Sequence, residues 1–202
     1  MRRFGGERLV VATHNAGKLA EMSALLAPFA VTVTSAAKLG LAEPVETEST
    51  FVGNARIKAH HAAQASGLPA LADDSGIEID ALGGAPGVYT ADWAETPRGR
   101  DFGMAMTNTW AKLEAVNAPY PRTARFCCTL VLAWPDGHDE VFSGAMPGQI
   151  IWPVRGAQGH GYDPIFQPEG YSTTFGEMDQ ATKNRISHRA DAFRKLVKGC
   201  FA

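Results

Sequence analysis

Ala72-Asp73-Asp74-Ser75-Gly76 sets two adjacent carboxylates into an otherwise apolar run, and the rest of the chain is organised around it. It follows Leu68, Ala70 and Leu71 and precedes Ile77-Glu78-Ile79-Asp80-Ala81-Leu82, which alternates with a period of two. That alternation predicts a half-buried strand, with Ser75-Gly76 as its punctuation. Successive side chains on a strand face opposite ways, so at most one of the two aspartates looks into any given pocket. Aspartate is a poor strand former and costly to bury unpaired, so the pair calls for a cause. Two causes stand open on these residues alone. One is a turn, for which Asp, Ser and Gly are ordinary residues. The other is a carboxylate that holds a metal or a water at the mouth of a cleft.

Upstream, Arg8-Leu9-Val10-Val11-Ala12-Thr13 reads as a short buried strand, and Asn15 offers an N-cap to a helix bearing Leu19, Met22, Leu25 and Leu26 at helical spacing. Thr13-His14-Asn15-Ala16-Gly17-Lys18 is then a strand-to-helix turn. Its backbone N–H groups, glycine and lysine are the parts that hold a phosphate at a helix start. The spacing is not that of a P-loop, and a plain turn with a solvated lysine is the competing reading. Val31 to Thr34 alternates as a second strand, followed by a loop with Glu43, Glu46 and Glu48. Ser49 or Thr50 caps an alanine-rich helix from about Phe51 to Ser66, on which Asn54 and Lys58 share a face.

Downstream, Gly83-Gly84-Ala85-Pro86-Gly87 predicts a shaped loop and Phe102 to Val116 a helix. Arg125 to Trp134 and Asp139 to Phe142 form a hairpin across Pro135-Asp136-Gly137, with a further strand at Ile150-Ile151-Trp152. Gly159-His160-Gly161-Tyr162-Asp163-Pro164 gathers glycines, an aromatic and a carboxylate in one loop. The last helix is capped by Ser187, with Ala190, Phe193, Leu196 and Val197 as its apolar face. His188 and Arg189 then stand at its positive end, with Lys183 just upstream.

At 202 residues, 45% hydrophobic and 20% charged, the chain has enough material for one good core. A net charge of -2 argues against a dedicated nucleic-acid binder, whose footprint is basic. No stretch reaches the length of a membrane span, and the residues after Met1 lack an apolar signal core. Three cysteines, two of them the adjacent Cys127 and Cys128, make no disulfide framework and fit a reducing cytoplasm. What remains is a cationic set (Lys18, Lys58, Lys183, His188, Arg189) and an anionic set (Glu46, Asp73, Asp74). Cations at helix starts suit a polyphosphate, and carboxylates without Cys or His partners suit a hard ion such as Mg²⁺.

These blocks resemble the non-canonical purine nucleoside triphosphate pyrophosphatases, the inosine and xanthosine triphosphatases. The resemblance runs from about Val10 to Leu196. It rests on Thr13–Lys18, Leu71–Gly76, Gly83–Tyr89, Gly161–Phe166 and Lys183 with Ile186–Arg189. It implies an α/β fold of two lobes, with a long mixed β-sheet flanked by helices and a central cleft, as one domain over residues 1–202. It also implies a homodimer and Mg²⁺-dependent hydrolysis of ITP, dITP or XTP to the monophosphate and pyrophosphate, with neither nucleic acid nor membrane as partner. By the same resemblance Asp74 is the base for the attacking water and a metal ligand, with Glu46 as the second metal carboxylate. Thr13, His14, Asn15, Ala16, Gly17 and Lys18 hold the triphosphate, and Lys58 and Ser75 make further substrate contacts. His160, Gly161, Tyr162 and Asp163, with Lys183, His188 and Arg189, enclose base and sugar. Asp73 matches the block without a role fixed by it.

Four positions depart from the family pattern. His14 replaces a common glycine, Gly53 a common glutamate and Asp92 a frequent arginine. His160 stands where a phenylalanine usually stacks on the base. Three other functions share parts of this residue set: a phosphatase forming an aspartyl-phosphate, a nucleotide-binding regulator without turnover, and a pyrophosphatase of the septum-inhibitor type acting on modified or pyrimidine nucleotides.

Overall fold

A computed structural model describes residues 1–201. One six-stranded sheet runs in the order β2 (Thr32–Ser35), β1 (Arg8–Val11), β3 (Ala70–Ile79), β6 (Thr123–Ala133), β7 (Asp139–Ile150), β8 (Phe166–Pro168), and a two-stranded ribbon pairs β4 (Glu95–Thr96) with β5 (Gly99–Arg100). The chain divides into two compact units. The first comprises Met1–Asp74, Cys128–Gly144 and the chain from Ala192 on; the second comprises Ser75–Cys127 and Ala145–Asp191. Among the described residues no helix is long and apolar enough to cross a membrane.

In the first unit β1 (Arg8–Val11) lies parallel to both β2 (Thr32–Ser35) and β3 (Ala70–Ile79), matching Val10 to Thr34 and to Ala70. The two-residue period of these strands sorts their side chains into two cores. Leu9, Val11 and Leu71 pack with Met22 and Leu26 of α1 (Ala16–Leu26) and with Ala192, Phe193 and Leu196 of α5 (His188–Leu196). Val10, Ala12, Ala70 and Ala72 pack with Ala55, Ala59, Ala62 and Ala63 of α2 (Phe51–Ser66). Covered on both faces, the start of β3 is continuously buried and does not alternate. Thr50, not Ser49, caps α2 by accepting from the Gly53 amide at 3.1 Å, and Gly67 ends it in the left-handed region. Cys128 is the core thiol of the adjacent pair.

In the second unit Ile77 and Ile79 pack against Ala105, Met106 and Leu113 of α3 (Phe102–Ala115) and against Phe126, Tyr162, Phe166 and Phe175. The glycine loop after β3 bridges back onto it, pairing Pro86 with Glu78.

The structure corrects three local expectations. Ser75-Gly76 does not punctuate β3, which runs unbroken through it. Asp80–Leu82 is instead a 3₁₀ turn that ends the strand. The hairpin strands β6 (Thr123–Ala133) and β7 (Asp139–Ile150) are longer than their hydrophobic runs, because β7 continues past Phe142 to pair with β8 (Phe166–Pro168). That pairing absorbs Ile150 and leaves Ile151 and Trp152 outside any strand. Lys183, just upstream of the last helix, sits on a short helix of its own, α4 (Gln180–Ile186), whose start Asp179 caps through the Thr182 amide at 2.8 Å.

Leu71 tests this arrangement, since it is 1% exposed beneath the aspartate pair. Leu71→Ala is expected to cost about 2–5 kcal/mol in chemical denaturation. Val45→Ala, at a residue 78% exposed, should leave the unfolding midpoint unchanged within error.

Candidate active site

The parity of β3 decides where its two carboxylates go. Asp73 has the parity of Leu71 and faces the α1 side, where Lys18 Nζ lies 2.9 Å from its Oδ2. Asp74 has the parity of Ala70 and Ala72 and faces the α2 side. There Lys58 Nζ lies 3.8 Å from its Oδ1, and the Asn54 side chain hydrogen-bonds to it. Both aspartates are buried, at 7% and 8% exposure. Lys18 is in the first turn of α1 and Lys58 in the second turn of α2, so each helix brings its own cation to the strand.

Glu46, from the acidic loop, reaches the same ammonium, with Oε1 2.8 Å from Lys58 Nζ. Burial alone would depress the Lys58 ammonium, but the charges of Asp73, Asp74 and Glu46 outweigh it and hold its pKa above the ordinary value. Asp74 moves the other way from most paired carboxylates. Burial raises it, Lys58 pulls it down, and repulsion from Glu46 and Asp73 leaves it at about 6. The cluster thus holds more negative charge than its lysines neutralise, a deficit an added cation would fill. Its donors are all oxygens, and among the described residues no three His, Cys, Asp or Glu side chains gather at metal-ligand spacing. Two convergent carboxylates, with water and phosphate oxygens completing the shell, are what Mg²⁺ uses.

The turn before α1 closes as its residues predict. Asn15 Oδ1 accepts from the amides of Gly17 and Lys18, at 2.9 and 3.1 Å, and the Asn15 amide donates to Thr13 Oγ1 at 3.1 Å. A phosphate seated on the Gly17 and Lys18 amides would displace the Asn15 side chain. His14 Nε2 is 2.9 Å from the Leu41 carbonyl oxygen, so this departure ties the turn to the acidic loop. Gly53 has its own reason. A Cβ there would lie 2.5 Å from Glu48 Cβ, because the Glu48 side chain fills that space.

The second unit holds the other predicted set. Asp163 is 2% exposed and forms a buried ion pair with Lys183; its Oδ2 also accepts from the His160 amide at 2.8 Å. Gly159 permits this: its φ is +73°, and a Cβ there would come within 2.1 Å of Asp163 Oδ2. Gly161 is also left-handed, at φ +66°, while His160 is exposed. Tyr162 is a core residue, 1% exposed, edge-on to Phe102 with ring centroids 6.0 Å apart and its hydroxyl donating to the Thr90 carbonyl at 3.3 Å. Its ring is therefore part of the core. Ser187 Oγ accepts from the Ala190 amide at 3.2 Å and caps α5, as predicted. His188 and Arg189 open that helix, 7% and 8% exposed, and the His188 ring stacks on Phe126 at 5.0 Å. Ser75 begins the second unit, half-buried on β3. Asp92 is exposed at the head of a 3₁₀ turn.

Two contributors escape the reading of the sequence. Asn54 is legible only as the residue four before Lys58 on one helical face, and Gly159 looks like any loop glycine.

Comparison with known proteins bears on the same residues. Residues 9–199 match the Ham1 family. A dITP/XTP pyrophosphatase of Ruegeria pomeroyi is 68% identical over 200 residues, 99% of this chain and 98% of that protein. Another from Agrobacterium fabrum is 54% identical over 211 residues, covering 99% of each. A solved HAM1 protein from Coxiella burnetii superposes with a TM-score of 0.90 at 37% identity, over 96% of this chain and 98% of that one. Matched along nearly its whole length in both sequence and fold, the chain belongs to the Ham1 family.

Proposed function

We propose that this protein hydrolyses dITP, ITP and XTP between the α- and β-phosphates, releasing the nucleoside monophosphate and pyrophosphate. The single observation that supports this best is Asp74. It is a buried carboxylate with a pKa near 6, set against Lys58 and Glu46 and backed by the Lys18–Asp73 pair. A carboxylate in that range accepts a proton from water at neutral pH. The water oxygen bonds to the α-phosphorus, its proton passes to Asp74, and the bond to the bridging oxygen breaks with its electrons leaving on pyrophosphate. Lys58 and Lys18 offset the negative charge that would repel the nucleophile. Mg²⁺ held by Glu46 and Asp74 would polarise the phosphate oxygens and neutralise the leaving group. The dITP/XTP pyrophosphatases at 68% and 54% identity support the same substrate class.

Selection of the base falls to the second unit. Hypoxanthine and xanthine present a keto acceptor where adenine presents an amino donor. A pocket built from donors would leave them unpaired against adenine. Lys183, His188 and Arg189 are the side-chain donors proposed for that role, and the Asp163–Lys183 pair fixes the loop beside them.

The reaction is tested by incubating the protein with ITP and Mg²⁺ in ¹⁸O-water. Pyrophosphate should appear with no early orthophosphate, and the label should enter IMP. Label in pyrophosphate would overturn attack at the α-phosphorus in favour of the β-phosphorus, and direct release of orthophosphate would overturn it in favour of an aspartyl-phosphate route.

The two aspartates should also separate kinetically. Asp74→Asn removes both base and ligand and is expected to lower kcat by at least ~10²–10⁴-fold. Asp73→Asn weakens the hold on Lys18, so its effect should fall mainly on KM for the triphosphate. Equal, small effects in the two variants would remove Asp74 from its assigned role.

A further inference from the structure

Asn54 is buried, at 4% exposure, and faces the cluster from α2 one turn before Lys58. Its Oδ1 accepts from the Glu48 backbone amide at 2.9 Å, and its side chain also hydrogen-bonds to Asp74. An amide oxygen is taken by an N–H donor, so the amide NH₂ is what donates to the carboxylate. The acceptor side restrains the acidic loop two residues after Glu46. The donor side fixes one oxygen of Asp74. Helix α2 opens without a side chain at Gly53, and Glu48 lies across that gap, with Cβ 2.5 Å from where a Cβ would stand. The loop is therefore laid onto the helix at the point where Asn54 can reach its backbone.

We infer that Asn54 is the positioning residue of the centre: one buried carboxamide sets the orientation of Asp74 and the placement of the loop that carries Glu46. It touches neither water nor phosphate in this role; it acts through the two carboxylates. The inference rests on the pyrophosphatase reading only in taking Asp74 as the base. A base displaced by a fraction of a hydrogen-bond length loses rate while the phosphates stay bound, because the lysines that hold them are untouched.

Two substitutions separate the two sides of the amide. Asn54→Asp keeps an acceptor for the Glu48 amide but replaces donation to Asp74 with repulsion. Asn54→Ala removes both. Activity is read as kcat and KM for ITP with Mg²⁺, folding by thermal melting, and the loop by hydrogen exchange of the peptide spanning residues 42–50 in the protein alone. In Asn54→Asp, kcat is expected to fall at least ~10-fold with KM within ~3-fold of the parent, and exchange at Glu48 should stay slow. In Asn54→Ala kcat should fall as far, and exchange at Glu48 should accelerate. A parental kcat in Asn54→Asp, or unchanged exchange in Asn54→Ala, overturns the assignment. So does a loss of activity that only tracks the fraction unfolded. If the unsubstituted protein releases no pyrophosphate from ITP, the functional reading fails, while the exchange experiment still decides whether Asn54 holds the loop.

Discussion

Two carboxylates side by side on a strand covered on both faces are the constraint on which the first unit depends. Neither can be buried without a counter-charge. The strand's own geometry sends them to opposite faces, so each needs its own cation. Lys18 meets Asp73 from α1, and Lys58 meets Asp74 from α2. That fixes which helix lies on which face of β3 and how far along the strand each begins. The alanines of α2 serve the same end. Small side chains at 55, 59, 62 and 63 let the helix lie close to Val10, Ala70 and Ala72, near enough for Asn54 and Lys58 to reach Asp74.

The neutralisation is incomplete, and that is where structure becomes chemistry. Lys58 is shared between Asp74 and Glu46, with the nearer contact to Glu46 at 2.8 Å. Asp74 therefore keeps a raised pKa that a fully paired carboxylate would not have. Asp139 shows the contrast: Arg56 and His60 hold it below the ordinary value against the upward push of burial. One is a settled surface pair; the other retains the proton affinity that a general base needs. In the second unit the corresponding economy runs through Asp163, which ties Lys183 and the His160 backbone together and so gives a glycine-rich loop one conformation.

Much of this was legible from residue types. Asn15 as a cap, the alanine-rich helix ended by Gly67, the shaped glycine loop and Ser187 at the head of the last helix all follow from local rules of capping and backbone freedom, and the structure has each of them. The charged residues of the first unit are legible too, since a lysine in a strand-to-helix turn, a lysine on an alanine-rich helix and aspartates in an apolar strand are locally anomalous. Strand lengths are not. β7 is extended by its pairing with β8, a partner far along the chain, and no window around Phe142 contains that information. Helix α4 leaves no signal in the sequence, because seven residues with a weak apolar stripe carry no periodicity.

Residue types and spacing set the chemistry available: oxygen ligands, cations on helices, a capped turn and the two-residue period of β3. Which of these groups share a charge is settled by packing alone. Lys58 could have been solvated, Asp73 could have taken its place beside Glu46, and Asn54 could have been an ordinary helical residue. Packing two helices on opposite faces of one buried strand removes those options, because a charge taken from water must be met where the fold puts it. Tyr162 shows the same rule on the apolar side. Its loop reads as a ligand-binding segment, yet its ring belongs to the core, since an aromatic surface of that size is worth more buried than exposed.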